Sequence, residues 1–169
     1  MGNIYLISGD GAGKTTNALG LALRALGHNK RVLVIQFLKW NRETGEYLFK
    51  HPKYEIRQFS NSEWIGVATL SQKDKIVCED GLATAYHISK YKNVDLLILD
   101  EINYAVSVGM LEEKDVIEMI ENLRTIKPNI NIVMTGRGAT KGLKKLADFV
   151  NEIVEVKSGK MVCEEGIQY

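Results

Sequence analysis

The chain is 169 residues long, with 45% apolar and 25% charged residues, the size and balance of one globular domain with a core of its own. Lys and Arg number 22 against 21 Asp and Glu, so no strong field draws the chain toward nucleic acid or anionic lipid. Apolar runs such as 96–99 fall far short of the roughly 20 residues that cross a bilayer, and neither Cys78 nor Cys163 belongs to a CxxC, so a membrane protein, a disulfide miniprotein and a zinc module are all excluded. The first residues show no basic-then-apolar leader, and a cytoplasmic protein is expected.

In chain order, short apolar runs predict strands over Ile4–Ser8, Val32–Phe37, Tyr54–Phe59, 94–99, 130–135 and 152–156. Helical spacing fills most of the intervals. Residues 13–26 place Ala18, Leu19, Ala22, Leu23, Ala25 and Leu26 on one broad face and stop at Gly27, a natural residue just past a helix end. A helix over 73–91 is opened by Ser71 with Asp74 as its partner, a variant of the capping box. A third over 112–126 carries Val116, Ile117, Ile120 and Leu123, with Pro128 just beyond. A short helix over 141–150 precedes the last strand, and 154–162 has the pattern of a hairpin turning at Ser158-Gly159. Strands alternating with helices predict one α/β domain over 1–169, a parallel sheet with helices on both faces in three layers. Val94-Asp95-Leu96-Leu97-Ile98-Leu99 suits a central strand of that sheet.

The strongest local signal joins the first strand to the first helix: Ser8-Gly9-Asp10-Gly11-Ala12-Gly13-Lys14-Thr15-Thr16. Gly13-Lys14-Thr15 matches the end of a P-loop, while Ser8 stands where the pattern opens with Gly. Gly9, Gly11 and Gly13 let successive backbone N–H groups converge on phosphate at a helix N-terminus. Residues 9–16 are therefore the expected ATP-binding segment. Lys14 would add a positive charge, and the Thr15 hydroxyl would ligate Mg²⁺. The expected partner is an acidic residue ending a buried strand, which Leu99-Asp100-Glu101 supplies. Asp100 and Glu101 are the expected metal carboxylates, against a plain helix-capping role. The fold expected from the loop is of the P-loop NTPase, RecA-like type.

Gly9 to Thr16, Ala18 to Ala25 and Gly27-His28 are followed by Gln36-Phe37-Leu38-Lys39, Gly45-Glu46, Leu97 to Glu101, Thr135-Gly136-Arg137-Gly138, Ala147-Asp148 and Gly166-Ile167-Gln168-Tyr169. In this order and spacing the chain resembles the P-loop ATP:corrinoid adenosyltransferases over nearly its whole length. The resemblance implies transfer of the 5′-deoxyadenosyl group of ATP to cob(I)alamin or a related corrinoid, with triphosphate released. It implies Lys14, Glu101 and Arg137 as catalytic residues, ATP and Mg²⁺ as cofactors and the corrinoid as substrate. A homodimer is implied, with an electron-donor protein as a further partner. Arg137 reads either as a second cation at the phosphates or as a surface salt bridge. Corrinoid contact falls to Trp64, with Phe59 and Trp40 as further candidates, each also readable as ordinary packing. The family's second loop lysine is Ala12 here, and its Phe-x-Trp reads Ser62-Glu63-Trp64. The alternative is an ATP-dependent binding or delivery protein, or a P-loop ATPase, without adenosyl transfer.

Overall fold

The computed structural model describes residues 1–60, 70–159 and 164–167. The elements run β1 (Ile4–Ser8), α1 (Lys14–Gly27), β2 (Val32–Phe37), α2 (Gly45–Leu48), β3 (Tyr54–Phe59), α3 (Gln72–Tyr91), β4 (Leu96–Asp100), α4 (Ile102–Ser107), α5 (Glu113–Ile126), β5 (Asn131–Thr135), α6 (Lys141–Leu146) and β6 (Phe149–Glu152). The six strands form one sheet in the order β3-β2-β4-β5-β1-β6, and every pairing is parallel. The three-layer α/β architecture follows from how the strands distribute their side chains.

Alternation along each strand feeds two cores. From β2, Leu33, Ile35 and Phe37 join Leu97 and Leu99 of β4 on one face. There they meet Cys78, Leu82 and Ala85 of α3 and Val116, Ile120 and Leu123 of α5. Val32 and Val34 point the other way with Leu96, Ile98, Ile7 and Val133, and are covered by Ala18 and Ala22 of α1. Small residues at those two positions let α1 lie close on the sheet, which brings its N-terminus over the strand ends. The Asp74 carboxylate accepts from the Ser71 backbone N–H at 2.9 Å and from the Ser71 hydroxyl at 2.7 Å, so the capping motif expected at the start of α3 is formed.

The last part of the chain departs from expectation. The final strand is Phe149–Glu152, not 152–156, and α6 ends at Leu146, not at 150. Asp148 explains both. Its carboxylate accepts from Ile4 N–H at 2.7 Å and its own N–H donates to Ile4 C=O at 2.9 Å, pulling the chain into register beside β1 as soon as α6 ends. Phe149 then stacks on Tyr5 with ring centroids 5.1 Å apart. Val154 and Val156, whose alternation suggested a strand, are exposed. The described part of the expected hairpin, 154–159, contains no strand, and the rest lies outside the described residues.

Candidate active site

All parallel strands point the same way, so their carboxyl ends share one edge, where ligands gather in such sheets. The loop between β1 and α1 lies there. Gly9 and Gly13 hold φ of 103° and 101°, which only glycine adopts without strain. Gly9 is the closer constraint, because a Cβ there would lie 2.2 Å from the Ile153 carbonyl oxygen. Ser8, by contrast, ends β1 as a buried strand residue whose carbonyl accepts from Ile153 N–H at 2.8 Å. The missing first glycine of the P-loop pattern is therefore tolerated: the conformational demand falls one residue later. Gly11 N–H donates to Ile153 C=O at 2.9 Å, so the chain leaving β6 braces the loop from behind.

Lys14 is buried, and its ammonium turns back to donate to the Gly11 carbonyl at 2.7 Å. Burial pulls its pKa below the usual lysine value, with the Glu101 charge acting in the opposite sense. Thr15 reaches the acidic strand end. Its hydroxyl donates to Asp100 Oδ1 at 2.9 Å, and Thr135 Oγ1 donates to the same oxygen at 2.6 Å. This meeting depends on strand order, because β5 is inserted between β1 and β4 and brings Thr135 between loop and acid. Asp100 Oδ2 accepts from Gln36 Nε2 at 3.0 Å and from Lys39 Nζ at 2.6 Å. The carboxylate is fully buried, and it is paired and hydrogen-bonded on both oxygens, as a buried charge must be.

Glu101 follows in a left-handed conformation with φ of 62°, costly for a non-glycine residue and a recurrent feature of functional sites. The turn carries its carboxylate out of the sheet and toward the cleft. Gly136, at φ 126°, leaves room for it: a Cβ there would lie 3.2 Å from Glu101 Oε2 and 2.8 Å from Tyr104 N. Burial and then the neighbouring Asp100 charge push the Glu101 pKa up, opposed by Lys39, Lys14 and Arg137. Burial also works against the Lys39 ammonium, but the charge and hydrogen bond of Asp100 outweigh it and hold its pKa above the usual value.

These groups line a cleft of about 710 Å³. Its lining combines the charged Lys14, Lys39, Arg137 and Glu101 with the apolar and aromatic Leu19, Leu38, Trp40, Tyr104 and Ile167. Arg137 donates to the Asp10 carbonyl at 3.3 Å and lies 3.8 Å from the Asp10 carboxylate. This is the loose surface pairing of its second reading, and the side chain also lines the cleft.

Thr15 and Glu101 face the cleft. Hydroxyl and carboxylate oxygens suit Mg²⁺, which takes one or two protein oxygens and completes its shell with water and phosphate. Asp100 stands differently: four protein donors fill its acceptor positions, so it orients Thr15 instead of offering a free oxygen. Among the described residues no group of three or more His, Cys, Asp or Glu side chains gathers as a metal cage.

Of the aromatic candidates, Trp40 lines the cleft. Phe59 does not: it packs into the core against α3, where a Cβ at Gly81 would lie 2.9 Å from its ring. An aromatic ring at the end of an edge strand finds more apolar surface inward than at the rim. Trp64 lies outside the described residues. Sequence reasoning quoted Gln36, Lys39, Glu46 and Thr135 without giving them roles. The signal available was their polarity next to otherwise apolar strands. Gln36 at the end of β2 bonds Asp100 and, at 3.2 Å, Glu46; Gln58 Nε2 donates to Gln36 Oε1 at 2.9 Å.

Comparison with known proteins gives the family. The family model described as ATP:corrinoid adenosyltransferase BtuR/CobO/CobP matches residues 1–169. A corrinoid adenosyltransferase of Escherichia coli K12 is 31% identical over 157 residues, covering 92% of this chain and 78% of its own. One from Pseudomonas aeruginosa is 33% identical over 158 residues, covering 92% and 76%. A KaiC-like protein of Pyrococcus horikoshii shares the fold, with a TM-score of 0.60 at 18% identity, over 94% of this chain and 75% of that one. With its whole length matched, the chain belongs to the ATP:corrinoid adenosyltransferase family.

Proposed function

We propose that this protein transfers the 5′-deoxyadenosyl group of ATP to the cobalt(I) of a corrinoid and releases triphosphate. The observation that carries this reading is a cleft whose lining combines the cations Lys14, Lys39 and Arg137 with the apolar and aromatic Leu19, Leu38, Trp40 and Tyr104. The cations suit a polyphosphate, and the apolar and aromatic groups suit a large macrocycle. In the reaction the cobalt electron pair forms the cobalt–C5′ bond while the C5′–O5′ bond breaks, and its electrons leave with the triphosphate. No proton needs to move, so the site needs no acid–base pair. What the residues must supply is charge neutralisation and in-line placement.

Lys14 can exchange its bond to the Gly11 carbonyl for one to phosphate, because a charge-assisted bond between two ions is the stronger. The N–H groups of the loop and the α1 N-terminus attract the same anion. Arg137 adds a cation where the departing chain would lie. A bound Mg²⁺, held by Thr15 and Glu101, would neutralise further charge on the leaving triphosphate. Trp40 gives the corrinoid an apolar contact, with Trp64 as a second aromatic. The reading extends to a homodimer in the cytoplasm served by an electron-donor protein. No described helix is long and apolar enough to cross a membrane.

The test is an anaerobic spectral assay with MgATP and chemically reduced cobalamin. Loss of the cobalt(I) band, together with a light-sensitive adenosyl product and free triphosphate, is the expected result. Bound ATP with no adenosyl product would overturn the transferase in favour of a nucleotide-dependent binding protein.

A further inference from the structure

The Thr15 hydroxyl has one hydrogen, and that hydrogen goes to Asp100 Oδ1. What remains for a metal is its lone pairs. In this structure the lone-pair side accepts from Lys39 Nζ at 2.9 Å, and the same ammonium lies 2.6 Å from Asp100 Oδ2. A tethered cation therefore stands on the Thr15 oxygen assigned above to a divalent one, anchored there by Asp100. Mg²⁺ bonds oxygen at about 2.0–2.1 Å. A dication that close to Thr15 Oγ1 and an ammonium in hydrogen-bond contact with the same oxygen would crowd one position and repel.

The backbone is shaped to deliver this side chain. Leu38, just after β2, adopts φ of 55° while fully packed, with its N–H donating to Phe59 C=O at 2.9 Å. A left-handed leucine is strained, and the strain breaks the extended run of β2 at the point where Lys39 crosses over Asp100. An ordinary surface lysine would need no such turn.

We propose that Lys39 is a positioning residue that stands in for the metal in the nucleotide-free protein. It keeps the Thr15–Asp100 pair neutralised and ordered, and it must leave Thr15 before a divalent cation can bind there. The metal is then admitted with the nucleotide, whose phosphates supply the negative charge that a second cation requires. The inference rests on the Mg²⁺ assignment to Thr15 made above, and it does not depend on the corrinoid.

The test uses Mn²⁺ as a spectroscopic probe, with free ion counted by electron paramagnetic resonance in titrations of the whole protein. Without nucleotide, wild type should bind Mn²⁺ weakly, and Lys39→Met should bind it about tenfold more tightly. Lys39→Arg should stay as weak as wild type, and adding Thr15→Ala to Lys39→Met should abolish the gain. Equal Mn²⁺ affinity in wild type and Lys39→Met would overturn the proposal. If Lys39→Met does not fold, wild type and Thr15→Ala decide. Weak Mn²⁺ binding without ATP and tight, Thr15-dependent binding with it supports the proposal; tight, Thr15-dependent binding without ATP overturns it. An absence of adenosyl transfer alters none of these outcomes, so the two readings fail separately.

Discussion

The floor and the mouth of the cleft are built on different principles. At the floor, Asp100 is fully buried and four donors converge on it, from β2, the segment after it, α1 and β5. At the mouth, the Arg137 side chain is 61% exposed and is held by a long bond to a carbonyl and a loose pairing with Asp10. A desolvated charge penalises any motion that strips its partners, so the floor is preorganised. A solvated pair loses little when it opens, so the mouth is free to reshape around incoming substrates. Buried hydrogen bonding fixes the floor around Asp100, and loose contacts leave the mouth around Arg137 able to move.

Breaking the floor should have the largest effect. Asp100→Ala orphans the Thr15, Thr135 and Gln36 donors and leaves Lys39 without its counter-ion, and is expected to cost about 3 kcal/mol or more in urea unfolding. Lys14→Ala removes a cation that anchors only to its own loop. Calorimetry should find ATP binding weakened about 100-fold, with the unfolding midpoint close to wild type. An unchanged ATP affinity would mean that the phosphate cradle is wrongly placed.

At the mouth the split should reverse. Arg137→Ala is expected to leave stability within about 0.5 kcal/mol of wild type while slowing turnover about tenfold through lost stabilisation of the leaving triphosphate. A stability loss as large as that of Asp100→Ala would erase the distinction between floor and mouth.

Glu101 lies between the two regions and gives the smallest and sharpest test. Its folded-state pKa is raised by burial and by Asp100, so the native protein keeps this proton after the unfolded chain has released it. Stability is therefore lost as pH rises from the unfolded carboxylate value through the folded one, and the full cost is carried above that window. Glu101→Gln removes the charge. Without ligand its melting temperature at neutral pH should equal or exceed that of wild type, with the two curves converging in acid. Adenosyl transfer should nevertheless fall.

Much of this site was legible in the chain itself. The glycines around Lys14, the apolar strand ending in Asp100-Glu101 and the Ser71–Asp74 cap are local patterns, and each forms where its spacing places it. Phe59 misled because an aromatic at a strand end looks the same whether it turns toward the mouth or the core; here the close approach of Gly81 decided for the core. The last strand misled because the alternation at Val154 and Val156 signals a sheet only if a neighbouring strand is there to pair. That neighbour, β1, had already been engaged by Asp148 and Phe149.

By itself, the sequence determined the class of fold, the phosphate loop, the acidic strand end and the family. Periodicity, glycine placement and motif spacing are properties of a few adjacent residues, and local chemistry is enough to enforce them. The tertiary structure alone decided that β5 lies between β1 and β4, which brings Thr135 to Asp100. It also decided that the chain leaving β6 braces the loop through Ile153, and that a strained turn at Leu38 lays Lys39 across Thr15. Strand order and the meeting of distant side chains are settled by which faces can be buried together, and no stretch of chain carries that information alone.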